Sequence, residues 1–285
     1  MNSAAPQDDF QEWIGREETS SATISQPVID AMAATLDLDS PPAPGQPLPP
    51  GWQWLFFNPR IRRSLLGTDG HPAKGGFLPP IPLPRRMWAG SRIRYLDNLT
   101  VGSDASRKSR IISIKHKSGR QGSLCFVTVE HVISSGNRPL IVEEQDIVYR
   151  EPTPPATAGA TAPSVYEAVP QWKERVTPDT TLLFRYSALT FNGHRIHYDL
   201  PYARDEEGYR SLVVHGPLTA TLLQQFAVSH ASGRRLKEFS FRGVAPLFVD
   251  AAFTLEGKET DESSLEVWAR GPEGQLAMSA TAVFE

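Results

Sequence analysis

The chain of 285 residues contains a single cysteine, which limits how it can be stabilised and what it can bind. One cysteine cannot form an intramolecular disulfide, and it cannot supply the several thiolates of a zinc–cysteine site. Cys125 lies in an apolar run at residues 124–127, so we interpret it as a small buried hydrophobic residue rather than a nucleophile. A chain of this length can fold as one large domain or two ordinary ones without disulfides or metals.

Long apolar segments and an excess of charge are also lacking. No apolar stretch approaches the roughly 20 residues of a membrane-spanning helix. Residues 1–9 lack the basic region and apolar stretch of a secretory signal, so we expect a cytoplasmic protein. The formal net charge is only −3, which argues against a nucleic-acid-binding or membrane-surface protein.

Glycines are fewer than prolines, 21 against 25, and the prolines mark loops and linkers. The segment 151–163 is rich in proline, alanine and threonine and has almost no large apolar side chains to bury, which is typical of a linker. It predicts an N-terminal module at residues 8–150, a linker at 151–172 and a C-terminal module at 173–285.

The first predicted module begins with a helix at residues 28–36 and a proline-rich loop at 41–50. The apolar segment 52–57 has helical length, although a strand also fits it. Runs of β-forming residues separated by turns then predict an antiparallel meander. These strands are expected near residues 92–96, 107–117, 124–133 and 140–149.

The second predicted module repeats this order. Thr177 is predicted to cap a helix, with Pro178 at its first position and Asp179 in its first turn. A polar loop, an apolar helix after Pro217 and alternating strands follow, the strands near residues 248–255, 265–269 and 276–282. The repetition predicts a duplicated α+β module, in which each antiparallel sheet wraps around a central helix and each half completes the other as a pseudo-dimer.

The loop at residues 191–199 holds the densest group of chemically capable side chains. Two histidines three positions apart, His194 and His197, are a metal-ligand spacing. No HExxH pattern, cysteine pair or further histidine cluster completes a ligand set, so we predict no metal. General acid–base catalysis needs only one imidazole, because its pKa lies near neutral pH. The alternative is that both histidines bond backbone groups.

The segment Val214-His215-Gly216-Pro217 immediately precedes the apolar helix. The first N–H groups of a helix have no internal partner and carry partial positive charge. A glycine lets another group approach them closely. Such a site can hold a thioester carbonyl and stabilise the enolate that forms from it, whereas the alternative is a simple glycine turn.

These elements together resemble the MaoC-like, or R-specific enoyl-CoA hydratase, superfamily. Its usual signature is an Asp, four residues, a His, and a downstream His-Gly at the central helix. His197 and His215-Gly216 match that signature, but Asn192 stands at the position of the acid. The segment 184–199 resembles the mesaconyl-CoA and itaconyl-CoA hydratase branch, near the mitochondrial-type 3-hydroxyacyl-thioester dehydratases. Residues 75–80, 84–90 and 145–151 match the same branch.

The resemblance implies a double hot-dog fold and reversible hydration of an acyl-CoA without metal or cofactor, CoA being part of the substrate. It implies that Asn192 and His197 are catalytic and that Val214, His215 and Gly216 bind the substrate. We expect His197 to accept a proton from water that Asn192 orients, while Asp199 orients the imidazole or caps the next turn. No nucleic-acid or membrane partner is expected, and a homodimer of double hot-dog chains stays open.

The resemblance further implies itaconyl-CoA or mesaconyl-CoA as substrate, with citramalyl-CoA as product. Their free carboxylate favours an arginine partner. The candidates are Arg62, Arg63, Arg85, Arg86, Arg185 and Arg195. The first half, without a histidine in residues 37–50, would shape the acyl pocket through Trp52, Phe56 and Phe57, unless these pack in the core. Alternatives are a straight-chain 3-hydroxyacyl-thioester dehydratase and a non-catalytic acyl-CoA-binding module.

Overall fold

The computed structural model of the protein describes residues 9–119, 122–151 and 165–285. Most of the predicted linker, residues 152–164, lies outside this range, as does the first residue of the predicted N-terminal module. The described end of the linker runs along the C-terminal half. There the Tyr166 N–H donates to the Gly274 carbonyl at 2.9 Å, and the Gln171 N–H donates to the Gly257 carbonyl at 2.8 Å.

One antiparallel sheet of ten strands dominates the described residues. The strands are β1 (Glu17–Thr23), β2 (Arg85–Tyr95), β3 (Asp104–Gly119), β4 (Gly122–Ser135), β5 (Arg138–Arg150), β6 (Trp172–Val176), β7 (Leu236–Gly243), β8 (Phe253–Asp261), β9 (Ser264–Arg270) and β10 (Leu276–Phe284). The α-helices are α1 (Gln26–Thr35), α2 (Thr180–Leu189) and α3 (Gly216–Ser229). No helix of the described residues is both long and apolar enough to cross a membrane.

The strand order reveals the internal duplication. It runs β1-β3-β4-β5-β2-β7-β10-β9-β8-β6, so each half, read from its outer edge, presents its first, third, fourth, fifth and second strand. The halves meet where β2 pairs with β7, from Gly90↔Arg242 to Arg94↔Glu238. The two predicted antiparallel sheets therefore join edge to edge as one ten-stranded sheet. Pairing β2 with β7 satisfies the backbone groups of two edges that would otherwise stay open.

Helix α3 is the central helix of the C-terminal half. Its N-cap is His215 and Pro217 occupies its first turn, where the missing N–H of proline costs nothing. Leu218 and Leu223 are fully buried, and the helix contacts strands β7 to β10. The sheet thus wraps around this helix as the duplicated module predicted.

The N-terminal half has only a single 3-10 turn, Trp52–Leu55, where a second central helix was considered. Gly51 on one side has φ 86° and Phe57 on the other has φ 63°, and neither left-handed residue continues a helix. Asn58 precedes Pro59, which also disfavours helical backbone. The concave face of β3, β4 and β5 therefore lacks the helix that covers the other half.

Edge strands and boundaries account for the other differences from the predictions. Strand β1 escaped prediction because an exposed edge strand, Glu-Glu-Thr-Ser-Ser-Ala-Thr, shows no apolar alternation. Strands β6 and β7 were also missed, and β8 starts at Phe253 rather than near residue 248. The cap of α2 is Asp179, whose side chain accepts from the Leu182 N–H at 2.7 Å, so Thr177 does not cap it.

Candidate active site

His197 lies at the end of a 3-10 turn, Arg195–His197, inside the polar loop. Its side chain is buried, and Nδ1 lies 2.7 Å from the Val213 carbonyl oxygen. A carbonyl only accepts hydrogen bonds, so Nδ1 carries the proton and the lone pair is on Nε2. Burial, together with the neighbouring His194, lowers the pKa of His197 to about 3. His197 is therefore neutral at pH 7 and has an available basic nitrogen.

The ring of His215 packs against the ring of His197. The two rings stack with centroids 3.6 Å apart and an interplanar angle of 19°. His215 is 0% exposed, and its Nε2 lies 2.8 Å from Ser187 Oγ, while its Nδ1 has no partner among the described residues. Burial lowers the pKa of His215 well below its usual value, so the stack is uncharged.

Of the three residues predicted to bind substrate, Gly216 is the accessible one. His215 and Val214 are buried, and the Val214 N–H already donates to the Leu247 carbonyl at 2.8 Å. Gly216 is half-buried, and a Cβ built on it would meet no atom within 4 Å. Its N–H is the first of α3 and makes no hydrogen bond to a described residue, so it can donate to an approaching oxygen.

Asn192 shapes the loop that presents these histidines. Its Oδ1 accepts a hydrogen bond from the His194 N–H at 3.0 Å, and its own N–H donates to the Ser187 carbonyl at 2.8 Å. This is the local side-chain-to-backbone turn that asparagine favours. The amide oxygen is thereby engaged, and the amide NH₂ group is left as the donor that can contact a water or substrate.

Asp199 caps the next turn and does not orient the imidazole. Its carboxylate accepts from Arg195 Nε at 2.9 Å and from the Tyr202 N–H at 3.2 Å. The Val213 carbonyl is instead the group that fixes His197. A backbone carbonyl has no sequence signature, so sequence reasoning could not have identified this partner.

A loop of the N-terminal half, residues 67–71, packs directly against the histidine loop. The Arg195 N–H donates to the Asp69 carbonyl at 2.9 Å, and Arg195 Nη1 donates to the Thr68 carbonyl at 3.0 Å. Gly70 has φ +87°, and a Cβ there would lie 1.8 Å from the Gly193 carbonyl oxygen. Only glycine permits so close an approach of the two loops.

This contact brings an Asp–His pair to the histidine loop. Asp69 Oδ2 lies 2.9 Å from His71 Nδ1, and the rings of His71 and His194 are 4.1 Å apart. Burial alone would raise the pKa of Asp69, but the hydrogen bonds and charge of His71 outweigh it and hold that pKa well below its usual range. Burial, and then His71, lower the pKa of His194 to about 3.

Sequence reasoning missed this pair because His71 lies in the other half of the chain. The only signal was the Asp-Gly-His tripeptide at residues 69–71, which is typical of a polar turn. The expectation that no further histidine lies near His194 was wrong. Ligand atoms of Asp69, His71 and His194 all lie within 4.8 Å of one another, a grouping that a divalent metal could also use.

A cavity of about 780 Å³ lies in front of these loops and is lined by both halves. Its walls include Gly70, His71, Asn192, Gly193 and Pro217 at the histidine loop, and Trp54, Arg63, Arg86, Trp88 and Arg107 from the N-terminal half. The aromatics predicted to shape the pocket are instead part of the main core, so the core alternative is confirmed. They are Trp52, Phe56 and Phe57.

The cavity lining is mostly apolar, but on β4 and β5 it includes the polar residues His131, Glu143 and Gln145. His131 bonds Ser109 Oγ at 2.9 Å and Gln145 Oε1 at 3.1 Å. Glu143 accepts from Ser91 Oγ at 2.6 Å and from Trp54 Nε1 at 2.9 Å, and burial raises its pKa. His131 and Glu143 are buried, and their hydrogen bonds are made within the N-terminal half.

Three of the six arginines proposed to bind a carboxylate are already occupied. Arg85 pairs with Glu207 at 3.3 Å, Arg185 donates to the Ala34 carbonyl, and Arg195 pairs with Asp199 at 2.8 Å. Of the rest, only Arg63 and Arg86 line the cavity. Arg107 also lines it, which the sequence did not predict. It donates to the Phe57 carbonyl at 3.0 Å, and its Nε is buried without a partner among the described residues.

The chain matches known proteins along most of its length. The model of the hydroxyacyl-thioester dehydratase type 2 family matches residues 51–249, which is more than half of the chain. The chain is 50% identical over 276 residues to a mesaconyl-C(4)-CoA hydratase of Chloroflexus aurantiacus, covering 96% of this chain and 97% of that protein. It is 26% identical over 272 residues to a mitochondrial hydroxyacyl-thioester dehydratase type 2 of Schizosaccharomyces pombe, covering 83% and 88%.

The fold has solved counterparts. A Mycobacterium tuberculosis protein described as having a double hot-dog fold superposes with a TM-score of 0.54 at 13% identity, covering 95% of this chain and 96% of that one. At this identity the similarity shows the fold alone. Together with the single antiparallel sheet and its duplicated strand order, it confirms the predicted α+β double hot-dog.

Proposed function

We propose that this chain, which belongs to the hydroxyacyl-thioester dehydratase type 2 family of MaoC-like hot-dog proteins, adds water reversibly to the double bond of mesaconyl-CoA. Members of this family are hydro-lyases that act on acyl-thioesters, and the chain is a hydro-lyase of acyl-CoA. The substrate proposal is supported by the 50% identical relative that is named for mesaconyl-C(4)-CoA. The product would be citramalyl-CoA, and itaconyl-CoA is the isomeric substrate to test beside it.

The observation that carries the proposal is the neutral His197 with its tautomer fixed. Because Nδ1 donates to the Val213 carbonyl, Nε2 is the nitrogen that accepts a proton from the attacking water. The stacked ring of His215 holds this imidazole in place. General base catalysis of this kind contributes about 10²- to 10⁴-fold to a rate.

Asn192 and Gly216 complete the proposed chemistry. The NH₂ group of Asn192 orients the water, because its amide oxygen is held by the His194 N–H. The Gly216 N–H, at the positive end of α3, binds the thioester oxygen and stabilises the negative charge that develops there. In this scheme Val214 and His215 do not contact the substrate but fix the start of the helix and the plane of His197.

Arg86 is the arginine we assign to the free carboxylate of the substrate. In mesaconyl-CoA bound through its C4 carboxyl group, that carboxylate is attached to the carbon that receives the water, so its partner must lie near the histidine loop. Arg86 lines the cavity, its Nη2 bonds the Pro72 carbonyl next to His71, and its charge lowers the pKa of His194. A guanidinium matches a carboxylate through two parallel hydrogen bonds.

One assay distinguishes the proposed function from two other functions. The purified chain is incubated with mesaconyl-CoA, itaconyl-CoA and crotonyl-CoA, before and after chelation, and the products are identified by mass. Gain of water on a dicarboxylate thioester, with little on crotonyl-CoA, supports the proposal, and we expect chelation to have no effect. Turnover mainly of crotonyl-CoA would favour a straight-chain dehydratase. Binding of all three esters without turnover would identify a non-catalytic acyl-CoA-binding protein.

The role of His197 is tested by replacing it. His197→Ala is expected to lower turnover by about 10²- to 10⁴-fold while the chain stays folded. His116→Ala, at an exposed histidine of β3 outside the cavity, serves as the matched control and should keep full activity. A His197→Ala variant with near-normal turnover would refute the general-base role.

A further inference from the structure

We propose that His71 is a second catalytic residue, which protonates the α-carbon during hydration and deprotonates it during dehydration, and that Asp69 positions it. This inference rests on the proposed hydratase function. It concerns the delivery of a proton to the α-carbon, because adding water moves one proton off the water and places another on carbon. In the usual family signature an Asp shares this work, whereas Asn192 can neither give nor take a proton at neutral pH.

His71 has the position that the step requires. It lines the cavity together with Asn192 and Gly193, and its side chain is 24% exposed, so Nε2 can reach a bound acyl group. Its Nδ1 donates to Asp69 Oδ2 at 2.9 Å, and its backbone N–H donates to Asp69 Oδ1 at 2.9 Å. These two bonds fix the ring and place a carboxylate behind it, the orientation in which an imidazole works as an acid and base.

The loop that carries the pair is locked to the histidine loop. The Asp69 carbonyl accepts from the Arg195 N–H, and Gly70 lies against the Gly193 carbonyl. Arg86 bonds the Pro72 carbonyl on the other side of His71. The charged and titratable groups near His71 are Asp69, His194, His197, Arg86 and Lys74, and Asp69 is the one hydrogen-bonded to its ring.

His194 lies between the two proposed catalytic imidazoles and can return the proton. Its ring centroid is 4.1 Å from that of His71 and 5.5 Å from that of His197. The nearest ligand nitrogens of His71 and His194 are within 4.8 Å, a gap that one water molecule can span. A buried imidazole whose pKa is lowered to about 3 does not retain the proton. The Asp69 carboxylate, hydrogen-bonded to His71 Nδ1, lies at the His71 end of this path.

The proposed cycle balances without a further reactant. The water oxygen bonds to the β-carbon, its proton moves to His197 Nε2, and the π electrons move to the thioester oxygen as an enolate. The carbonyl then re-forms as the α-carbon takes a proton from His71 Nε2. The proton on His197 passes through His194 to His71, so one water has been added and both histidines are restored.

The experiment compares His71→Ala, Asp69→Asn and the His116→Ala control with the unaltered full-length chain on the enoyl-CoA that it hydrates fastest. We expect His71→Ala to lower kcat by about 10²- to 10³-fold with little change in KM, and imidazole in solution to restore part of it. Exchange of the α-hydrogen of the hydrated product in D₂O should fall with it. Asp69→Asn should lower kcat with little change in KM, because the carboxylate that holds the His71 ring in place is gone.

Each contrary result has a distinct meaning. If His71→Ala keeps activity and α-hydrogen exchange within about threefold, or if it folds normally but imidazole has no effect, the inference is overturned while the proposed function stands. If chelation abolishes the activity of the unaltered chain and a divalent metal restores it, the cluster is a metal site and the inference is again overturned. If the unaltered chain hydrates no enoyl-CoA, the proposed function fails and this inference fails with it.

Discussion

Replacing Gly70 by alanine would separate the two loops on which the site depends. A Cβ at this position lies 1.8 Å from the Gly193 carbonyl oxygen and 2.8 Å from the Gly193 carbonyl carbon, while ordinary contacts begin at 3.4 Å. The oxygen contact is therefore short by about 1.6 Å, and neither partner is a flexible side chain. The residue also has φ +87°, where alanine costs about 1–2 kcal/mol relative to glycine.

The expected result is a loss of activity larger than the loss of stability. Moving residues 69–71 by an ångström or more relative to Asn192 misplaces groups at the reacting atoms, and a displacement of about 1 Å can cost about 10²-fold in rate. The free energy of unfolding should fall by about 2–4 kcal/mol, the sum of backbone strain and steric contact. Both are measured on the same preparation, by initial rates on the best enoyl-CoA and by urea unfolding.

Gly45→Ala is the matched control for this variant. Gly45 has φ +82°, and a Cβ there meets no atom within 4 Å, so the substitution adds the backbone strain without the contact. It should lower the unfolding free energy by about 1–2 kcal/mol and leave the rate unchanged. If Gly70→Ala matched Gly45→Ala in both quantities, the close packing of the two loops would not govern the site, and the reasoning would be refuted.

Three further predictions follow from the site and the core. Asn192→Asp should keep the turn in which Oδ1 accepts from the His194 N–H. Because it adds an acid, it should raise the activity of the His71→Ala variant at least about tenfold, and no gain in the double variant would contradict a shared role in proton transfer. Arg86→Met should lower kcat/KM for mesaconyl-CoA by about 10- to 150-fold but for crotonyl-CoA by less than about threefold. Arg63→Met, at an exposed arginine, should change neither value. Equal losses on both esters in the Arg86 variant would exclude a carboxylate contact. Arg270→Met should destabilise the fold by about 3 kcal/mol at pH 7, because it leaves the Glu256 carboxylate buried without the guanidinium that lies 2.8 Å away.

The loss of stability caused by Arg270→Met is expected to depend on pH. Burial would raise the pKa of Glu256, but hydrogen bonds from Arg270, Thr254 and Trp268 lower it below its ordinary value of 4.5. A lowered carboxylate pKa contributes stability that is complete above the ordinary value and is lost as the pH falls through the folded-state value. The unfolding free energies of the two proteins should therefore converge below pH 4.5, and a constant difference from pH 7 to pH 3 would exclude the ion pair as the cause.

The sequence predicted those parts of the fold that depend on local periodicity and punctuation. Helix α3 follows from the apolar spacing after Pro217, and the meander from β3 to β5 follows from runs of β-forming residues between glycine turns. The pairing of β2 with β7 could not be predicted, because both strands look like ordinary amphipathic segments and only their neighbours decide that they join. Strand β1 was missed since an edge strand has little apolar surface to reveal it.

The candidate site also has one part that the sequence predicted and one part that it did not. His197, Asn192 and Gly216 lie on one loop and one helix start, so their spacing along the chain was enough to bring them together. His215 lies beside them in the sequence, but spacing cannot tell a ring that contacts substrate from one that is 0% exposed and stacked beneath His197. His71 could not be identified as a site residue from the sequence, because its proximity to His194 depends on how the two halves pack together.

The side chains that the strands of each half present explain why only the C-terminal half has a central helix. In the C-terminal half, α3 covers strands whose inward residues, such as Phe239, Phe253 and Val267, are apolar and fully buried. On β4 and β5, His131 and Glu143 are buried and hydrogen-bonded within the N-terminal half, so an apolar helix would find less apolar surface to cover there. The short turn at Trp52–Leu55 leaves that face open to the cavity instead. In the function proposed above, the N-terminal half therefore contributes a wall of the acyl cavity and the Asp69–His71 pair, while the C-terminal half contributes the central helix whose N-terminus would bind the thioester.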